Sequence, residues 1–185
     1  MKVQKLTTMA VMIAVSIVLV TLVHFPLIPA AAFLEYDPAD IPILLVTLMY
    51  GPLAGVGVTA AACIVQGVTV SAASGPYGII MHFIATGTYV LAAGIISSKF
   101  AKSWKGTAVA LILGCIVMTA VMVPANLFIT PLFLGQTIED ILPMLMTAII
   151  PFNLLKAGIN GAVTFVLSRA LRKYMQAHKL GIYSL

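Results

Sequence analysis

An amide, an ammonium and a second amide interrupt an apolar run in Ile149-Ile150-Pro151-Phe152-Asn153-Leu154-Leu155-Lys156-Ala157-Gly158-Ile159-Asn160. Positions 153, 156 and 160 differ by three and four, so on a helix Asn153, Lys156 and Asn160 share one stripe. A lysine at bilayer depth costs roughly 2.5 to 3.5 kcal/mol even on the lenient insertion scale. A fold for this chain must therefore give that ammonium a partner or a ligand.

The bilayer follows from composition. Of 185 residues, 62% are hydrophobic and 8% charged, against roughly 45 to 50% and about 25% in soluble domains. The net charge of +5 is carried by residues too few and too dispersed for a phosphate-tracking groove, so no nucleic-acid partner is expected. Cys63 and Cys115 lie in apolar runs and read as small fillers, with no disulfide framework or metal-ligand spacing. Lys2 and Lys5 before an apolar run, with Ala30-Ala31-Ala32 beyond it, resemble a signal peptide. The run from Leu6 to Val23 is longer than the roughly 7 to 15 residues of such a segment, and it reads as a first membrane helix.

Apolar segments bounded by Pro, Gly or charge fall at about 5–24, 40–50, 52–70, 76–98, 105–128 and 143–171. They predict an all-α integral membrane protein, a single membrane domain over 1–185, with six transmembrane helices and a long extracellular first loop. The second helix is short: Asp40-Ile41-Pro42 opens it and Tyr50-Gly51-Pro52 closes it. Threaded with both termini in the cytoplasm, Lys2, Lys5, Lys99, Lys102, Lys105, Arg169, Arg172, Lys173 and Lys179 fall inside. Glu35, Asp37, Asp40, Glu139 and Asp140 fall outside, and Lys156 alone is unexplained by topology. Residues 181–185 read as a short disordered end.

Ala10 and Ala14 form a small-xxx-small pair in the first helix, read from spacing as bundle packing. Gly51 with Gly55, Ala157 with Gly161, and Gly158 with Ala162 repeat the pattern and are expected inside the bundle. The connection from Pro26 to Asp40 mixes Leu27, Phe33, Leu34 and Tyr36 with three acids, and a loop so apolar is expected to fold back over something or to dip into the headgroups. His82 sits near the top of the fourth helix, as packing residue or ligand contact. Trp104, beside Lys102 and Lys105, reads as an interface anchor. Asn126 follows Pro124 and either satisfies carbonyls the proline frees or faces one cavity with Asn153.

No Walker-type phosphate loop occurs, so the chain is not expected to hydrolyse ATP. It carries no paired intramembrane acid placed to relay protons and no metal cluster, and the Ser74-Gly75 and His82 pairing lacks an orienting group, so neither catalysis nor a resident cofactor or metal is expected. What remains is a cavity of amides and one ammonium beneath an apolar, aromatic lid. Five carboxylates on the outer face would repel a phosphorylated solute. A neutral molecule with a broad apolar body and an edge of carbonyl and imide groups fits best, and a small monocarboxylate balanced by Lys156 is the competing solution.

These features resemble the vitamin-binding S components of bacterial energy-coupling-factor (ECF) transporters, and within them the riboflavin-binding branch. The carriers are Ala10-xxx-Ala14, Phe33-Leu34-Glu35-Tyr36-Asp37-Pro38-Ala39-Asp40-Ile41-Pro42, Tyr50-Gly51-Pro52-Leu53-Ala54-Gly55 and Pro151-Phe152-Asn153-Leu154-Leu155-Lys156. The resemblance implies a plasma-membrane subunit that captures riboflavin from outside and works with a transmembrane coupling protein and two cytoplasmic ATPases. By similarity, Asn126, Asn153 and Lys156 bind the flavin, with Leu34, Glu35 and Tyr36 covering it and His82 standing where a relative has asparagine. Ala10 and Ala14 match the docking surface for the coupling protein. Biotin or pantothenate, bound through a carboxylate on Lys156, and an autonomous carrier needing no ATPase remain the alternatives.

Overall fold

The structure, a computed structural model, describes residues 2–100 and 103–177; Lys102, Lys179 and the end at 181–185 lie outside the described residues. Its helices are α1 (Lys2–Leu22), α2 (Asp40–Tyr50), α3 (Pro52–Val68), α4 (Gly75–Lys99), α5 (Trp104–Leu134), α6 (Ile138–Met144) and α7 (Ile150–Ala177). A π turn over Leu145–Ile149 fuses α6 to α7, so six helical rods form an all-α bundle. The π turn ends just before Pro151, whose ring would press on the preceding turn of an ordinary α-helix.

Four rods are long and apolar enough to cross a bilayer: α1, α4, α5 and α6–α7. The shorter α2 is buried from Asp40 to Met49. A helix apolar all round belongs in a core, and α2 can be short because its ends meet protein rather than lipid. Gly51, at φ +90°, turns the chain sharply from α2 into α3, a conformation open to glycine.

Three helix limits differ from expectation by five residues or more, one of them the end of the last rod, which reaches Ala177 rather than stopping at 171. Helix α5 continues beyond 128 to Leu134, carrying Pro124 and Pro131 inside it, and stops where Gly135 takes a left-handed conformation and donates to the Pro131 carbonyl. The last rod begins at Ile138 rather than 143, because Thr137 and Asp140 form a capping box there.

The main core joins Ile43, Leu44 and Val46 of α2 to Val58, Tyr89, Leu111, Met118 and Ala157. Tyr89 lies between α5 and α7, its hydroxyl donating to the Ala157 carbonyl at 3.1 Å. Gly114 and Gly161 make room for it: a Cβ at Gly114 would stand 2.9 Å from the ring, and one at Gly161 would run into the hydroxyl. Ala157 and Gly161 are buried, as the spacing suggests, but Gly158 and Ala162 are exposed. The two pairs occupy adjacent stripes about 100° apart on one helix, and only one stripe can face the core.

Filling the Tyr89 slot should be destabilising. Gly161→Val is expected to cost about 1 to 3 kcal/mol, read as a lower melting temperature of the purified protein in detergent; an unchanged melting temperature would show that α7 does not pack on Tyr89.

Candidate functional site

The first loop is a compact cap. Phe25–Pro26 pairs antiparallel with Glu35–Tyr36, and the Phe25 and Tyr36 rings meet at 5.5 Å. A 3-10 turn at Pro29–Ala31 lies between them. Ala31 and Leu34 pack with Ile141, Ala148, Ile149 and Phe152 in a second core, with Leu27 and Phe33 against it. The apolar residues Leu27, Ala31, Phe33 and Leu34 of the loop thus cover the top of α6–α7.

Beyond Tyr36 the chain descends into the bundle and meets the polar stripe of α7. Lys156 donates from Nζ to Asp37 Oδ2 at 2.6 Å, with both side chains largely buried. Asp37 Oδ1 accepts from the Ala39 amide at 3.0 Å, which holds the carboxylate in place. Asn160 donates to the Asp37 carbonyl at 3.0 Å and to Asp40 Oδ2 at 3.1 Å, and accepts from the Tyr36 hydroxyl at 3.0 Å. Burial, with Asp37 nearby, raises the Tyr36 phenol above its ordinary value, so it stays a neutral donor. Asp40 Oδ1 accepts from Thr86 at 2.6 Å, and His82 Nε2 stands 3.5 Å from the same oxygen without a hydrogen bond. From α1, Ser16 donates to the Ala39 carbonyl at 2.9 Å and accepts from Gln66 at 3.4 Å. Three helices, α1, α4 and α7, therefore bond directly to the segment 36–40, and α3 supports it through Ser16.

Beneath the cap lies a cavity walled by the loop, α3, α4, α5 and α7. Its unfilled space is about 1110 Å³ with the open mouth and adjoining solvent included. Phe33, Tyr77, Met118, Met122, Phe133 and Phe152 supply apolar wall. Asn126 and Asn153 stand in it nearly fully buried. Each amide nitrogen donates to the carbonyl one turn back in its own helix, Met122 or Ile149, at 2.8 Å. A carbonyl can only accept, so these bonds fix both amides. The carbonyl Asn126 binds is not the one Pro124 frees, which belongs to residue 120. Asn126 Oδ1 accepts from Thr130 at 2.9 Å; Asn153 Oδ1 has no donor among the described residues.

Of the residues singled out in the sequence, Asn126, Asn153, Lys156, Leu34, Glu35 and His82 all line the cavity. Tyr36 turns away from it to brace Asn160. Ala10 and Ala14 are exposed on α1, which supplies no lining residue. The sequence reading left Lys156 without a partner and gave Asp37 no role. The available signal is charge arithmetic: one interior lysine, and an acid-bearing apolar loop expected to fold back over something or to dip into the headgroups. Asp40, Thr86 and Asn160, which complete the network, carried no comparable mark apart from the shared stripe of Asn160.

A family model described as ECF transporter, substrate-specific component, matches residues 4–168. The chain is 33% identical over 175 residues to the riboflavin transporter FmnP of Bacillus subtilis (strain 168), covering 90% of each. It is 29% identical over 179 residues to the riboflavin transporter RibU of Staphylococcus aureus (strain TCH60), covering 94% of this chain and 93% of that one. Among solved structures, an S component of a bacterial ECF transporter superposes with a TM-score of 0.83 at 27% identity, covering 95% of this chain and 99% of that chain. ThiT from Listeria monocytogenes superposes with a TM-score of 0.69 at 16% identity, covering 93% of this chain and 97% of the other, a likeness of fold alone.

The Lys156–Asp37 pair is open to a double-mutant cycle in melting experiments. Lys156→Met alone leaves a buried carboxylate and should destabilise by about 3 to 5 kcal/mol. Adding Asp37→Asn should recover much of that loss; additive effects would mean the two groups do not interact.

Proposed function

The chain belongs to the substrate-specific components of ECF transporters, and we propose that within that family it is the subunit that binds riboflavin for an ATP-driven importer. The observation that carries the choice of ligand is the spent charge of Lys156. Asp37 already neutralises the ammonium, and the other ionised groups on the cavity wall are Glu35 and Asp40. A ligand carboxylate or phosphate would meet surplus negative charge, which weighs against biotin and pantothenate. A neutral, flat ring system with hydroxyls and an imide edge suits apolar walls and paired amides, and both curated relatives described above are named riboflavin transporters.

In this reading Asn153 Oδ1 accepts from a ligand N–H, Asn126 offers its remaining amide hydrogen, and Lys156 uses the donors Asp37 leaves over. The roles of Asn126, Asn153, Lys156, Leu34, Glu35 and His82 rest on their place in the cavity wall. Tyr36 acts indirectly, by bracing the cap. The site binds and performs no chemistry on its ligand. Energy comes from two cytoplasmic ATPases through a transmembrane coupling protein, which docks on α1 at Ala10 and Ala14. Their exposure supports this, and so does the absence of α1 from the cavity wall, which leaves that helix free for a partner. The cavity opens outward in a cell membrane and both termini face the cytoplasm, in keeping with the basic helix ends opposite the acidic loops.

The test is the visible spectrum of the chain purified in detergent without added vitamin. About one flavin per chain is expected, with Asn153→Ala weakening riboflavin binding by about 1 to 3 kcal/mol. A colourless protein that fails to quench added riboflavin would sink this assignment. Ala10→Leu with Ala14→Leu should leave binding intact while abolishing uptake in cells; loss of binding would place those alanines in the bundle packing instead.

A further inference from the structure

At the end of the bundle remote from the cavity, Trp104 opens α5 and is 53% exposed. It is the single tryptophan of the chain. Ser103 caps the helix by accepting from the Gly106 amide at 3.0 Å, which fixes where the ring stands. Two cations on two different helices converge on that ring. Lys105 Nζ lies 5.7 Å from its centroid and Arg169 Cζ, from α7, lies 5.6 Å away. Arg169 is also 5.8 Å from the Phe165 ring. These distances are within cation–π range.

The protein does not neutralise this pair. The ion pairs formed among the described residues use Lys156 and His82. The chain's five acids lie at 35–40 and 139–140, whereas Trp104 is roughly 20 Å along α5 from Met118, where the cavity wall begins on that helix. The positive-inside pattern explains why cations sit at this end, but not why two helices aim them at one ring. Leading away from the ring toward the bilayer, α5 exposes Ile112 and Ile116 in the row of Trp104, and α7 exposes Ala162 and Val166 in the row of Arg169. The corner therefore brings together two cations, an amphipathic ring and an apolar strip.

We propose that Trp104, Lys105 and Arg169 form a binding site for the headgroup of an anionic phospholipid, with its phosphodiester between the ammonium and guanidinium and its acyl chains along the exposed rows of α5 and α7. The guanidinium can accept a phosphate in its plane while the aromatic ring takes a face. The apolar strip selects a lipid over a free phosphate. The site is independent of the vitamin cavity and of what that cavity binds.

Because Trp104 is the only tryptophan, its fluorescence reads the site directly. The full chain in mixed micelles, at one fixed flavin occupancy, is titrated with dibrominated phosphatidylglycerol or dibrominated phosphatidylcholine, whose bromines quench indole on contact. Wild type should reach half-quenching at a several-fold lower mole fraction of the phosphatidylglycerol. Lys105→Gln with Arg169→Gln should bring the two lipids together without loss of ligand binding, and Lys105→Gln alone, at an exposed position, should lower the preference part way. Raising the salt should shrink the wild-type preference without any substitution, and millimolar glycerol phosphate should not displace the lipid. Equal quenching by both lipids in wild type overturns the proposal, as does a preference that survives the double substitution. Displacement by glycerol phosphate overturns the claim that the acyl chains contribute.

Discussion

An ammonium in the middle of an apolar bundle is the constraint on which the rest of this structure depends. Lys156 cannot stay charged there without a counter-charge, and the one it finds, Asp37, comes from a loop 119 residues earlier in the chain. Satisfying the lysine thus drags the first loop down onto α7. Once there, its backbone polar groups also need partners, and Asn160, one turn beyond Lys156, meets the Asp37 carbonyl and the Asp40 carboxylate together. The ion pair and the amide clamp require each other: neither an unpaired carboxylate nor a stripped backbone carbonyl is tolerable at that depth.

The same constraint shapes the helices. Because the loop re-enters the bundle before Asp40, the next helix starts below the surface and needs only the eleven residues of α2. Helix α2 contributes only Asp40, at its start, to the cavity, and the rest of the wall comes from the cap, α3, the turn after it, α4, α5 and α7. Helix α1, touching this arrangement through the Ser16 hydroxyl and its packed methionines, stays outside the cavity wall. The bundle divides into an inner part that builds the site and an outer helix whose small-residue face is open.

The sequence made some of this legible for physical reasons. Hydropathy and charge placement gave the all-α membrane class and six rods, and three-and-four spacing put Asn153, Lys156 and Asn160 on one face. The apolar loop announced that it would cover something. Pairing across the chain was hidden, since nothing local ties Asp37 to Lys156 or Thr86 to Asp40. Local spacing also could not choose between the Ala157–Gly161 and Gly158–Ala162 stripes, because the large residue that decides it, Tyr89, lies on another helix. Helix α5 runs on past 128 with Pro131 inside it, because the i−4 carbonyl that a proline deprives can be tolerated inside a packed bundle.

Neutralising Lys156 within the protein also bears on how such a site can be both selective and reversible. Were the ammonium free, an anionic ligand would bind through a strong, poorly screened interaction and leave slowly. With Asp37 in place, the energy of the buried charge is settled in the fold before any ligand arrives, and in the proposed reading discrimination would rest on neutral hydrogen bonds at the two fixed amides. Such bonds reject a molecule lacking the matching donor, because the buried amide oxygen is then left unpaired. A cap held by the protein's own ion pair, rather than by a ligand, is formed before any ligand arrives.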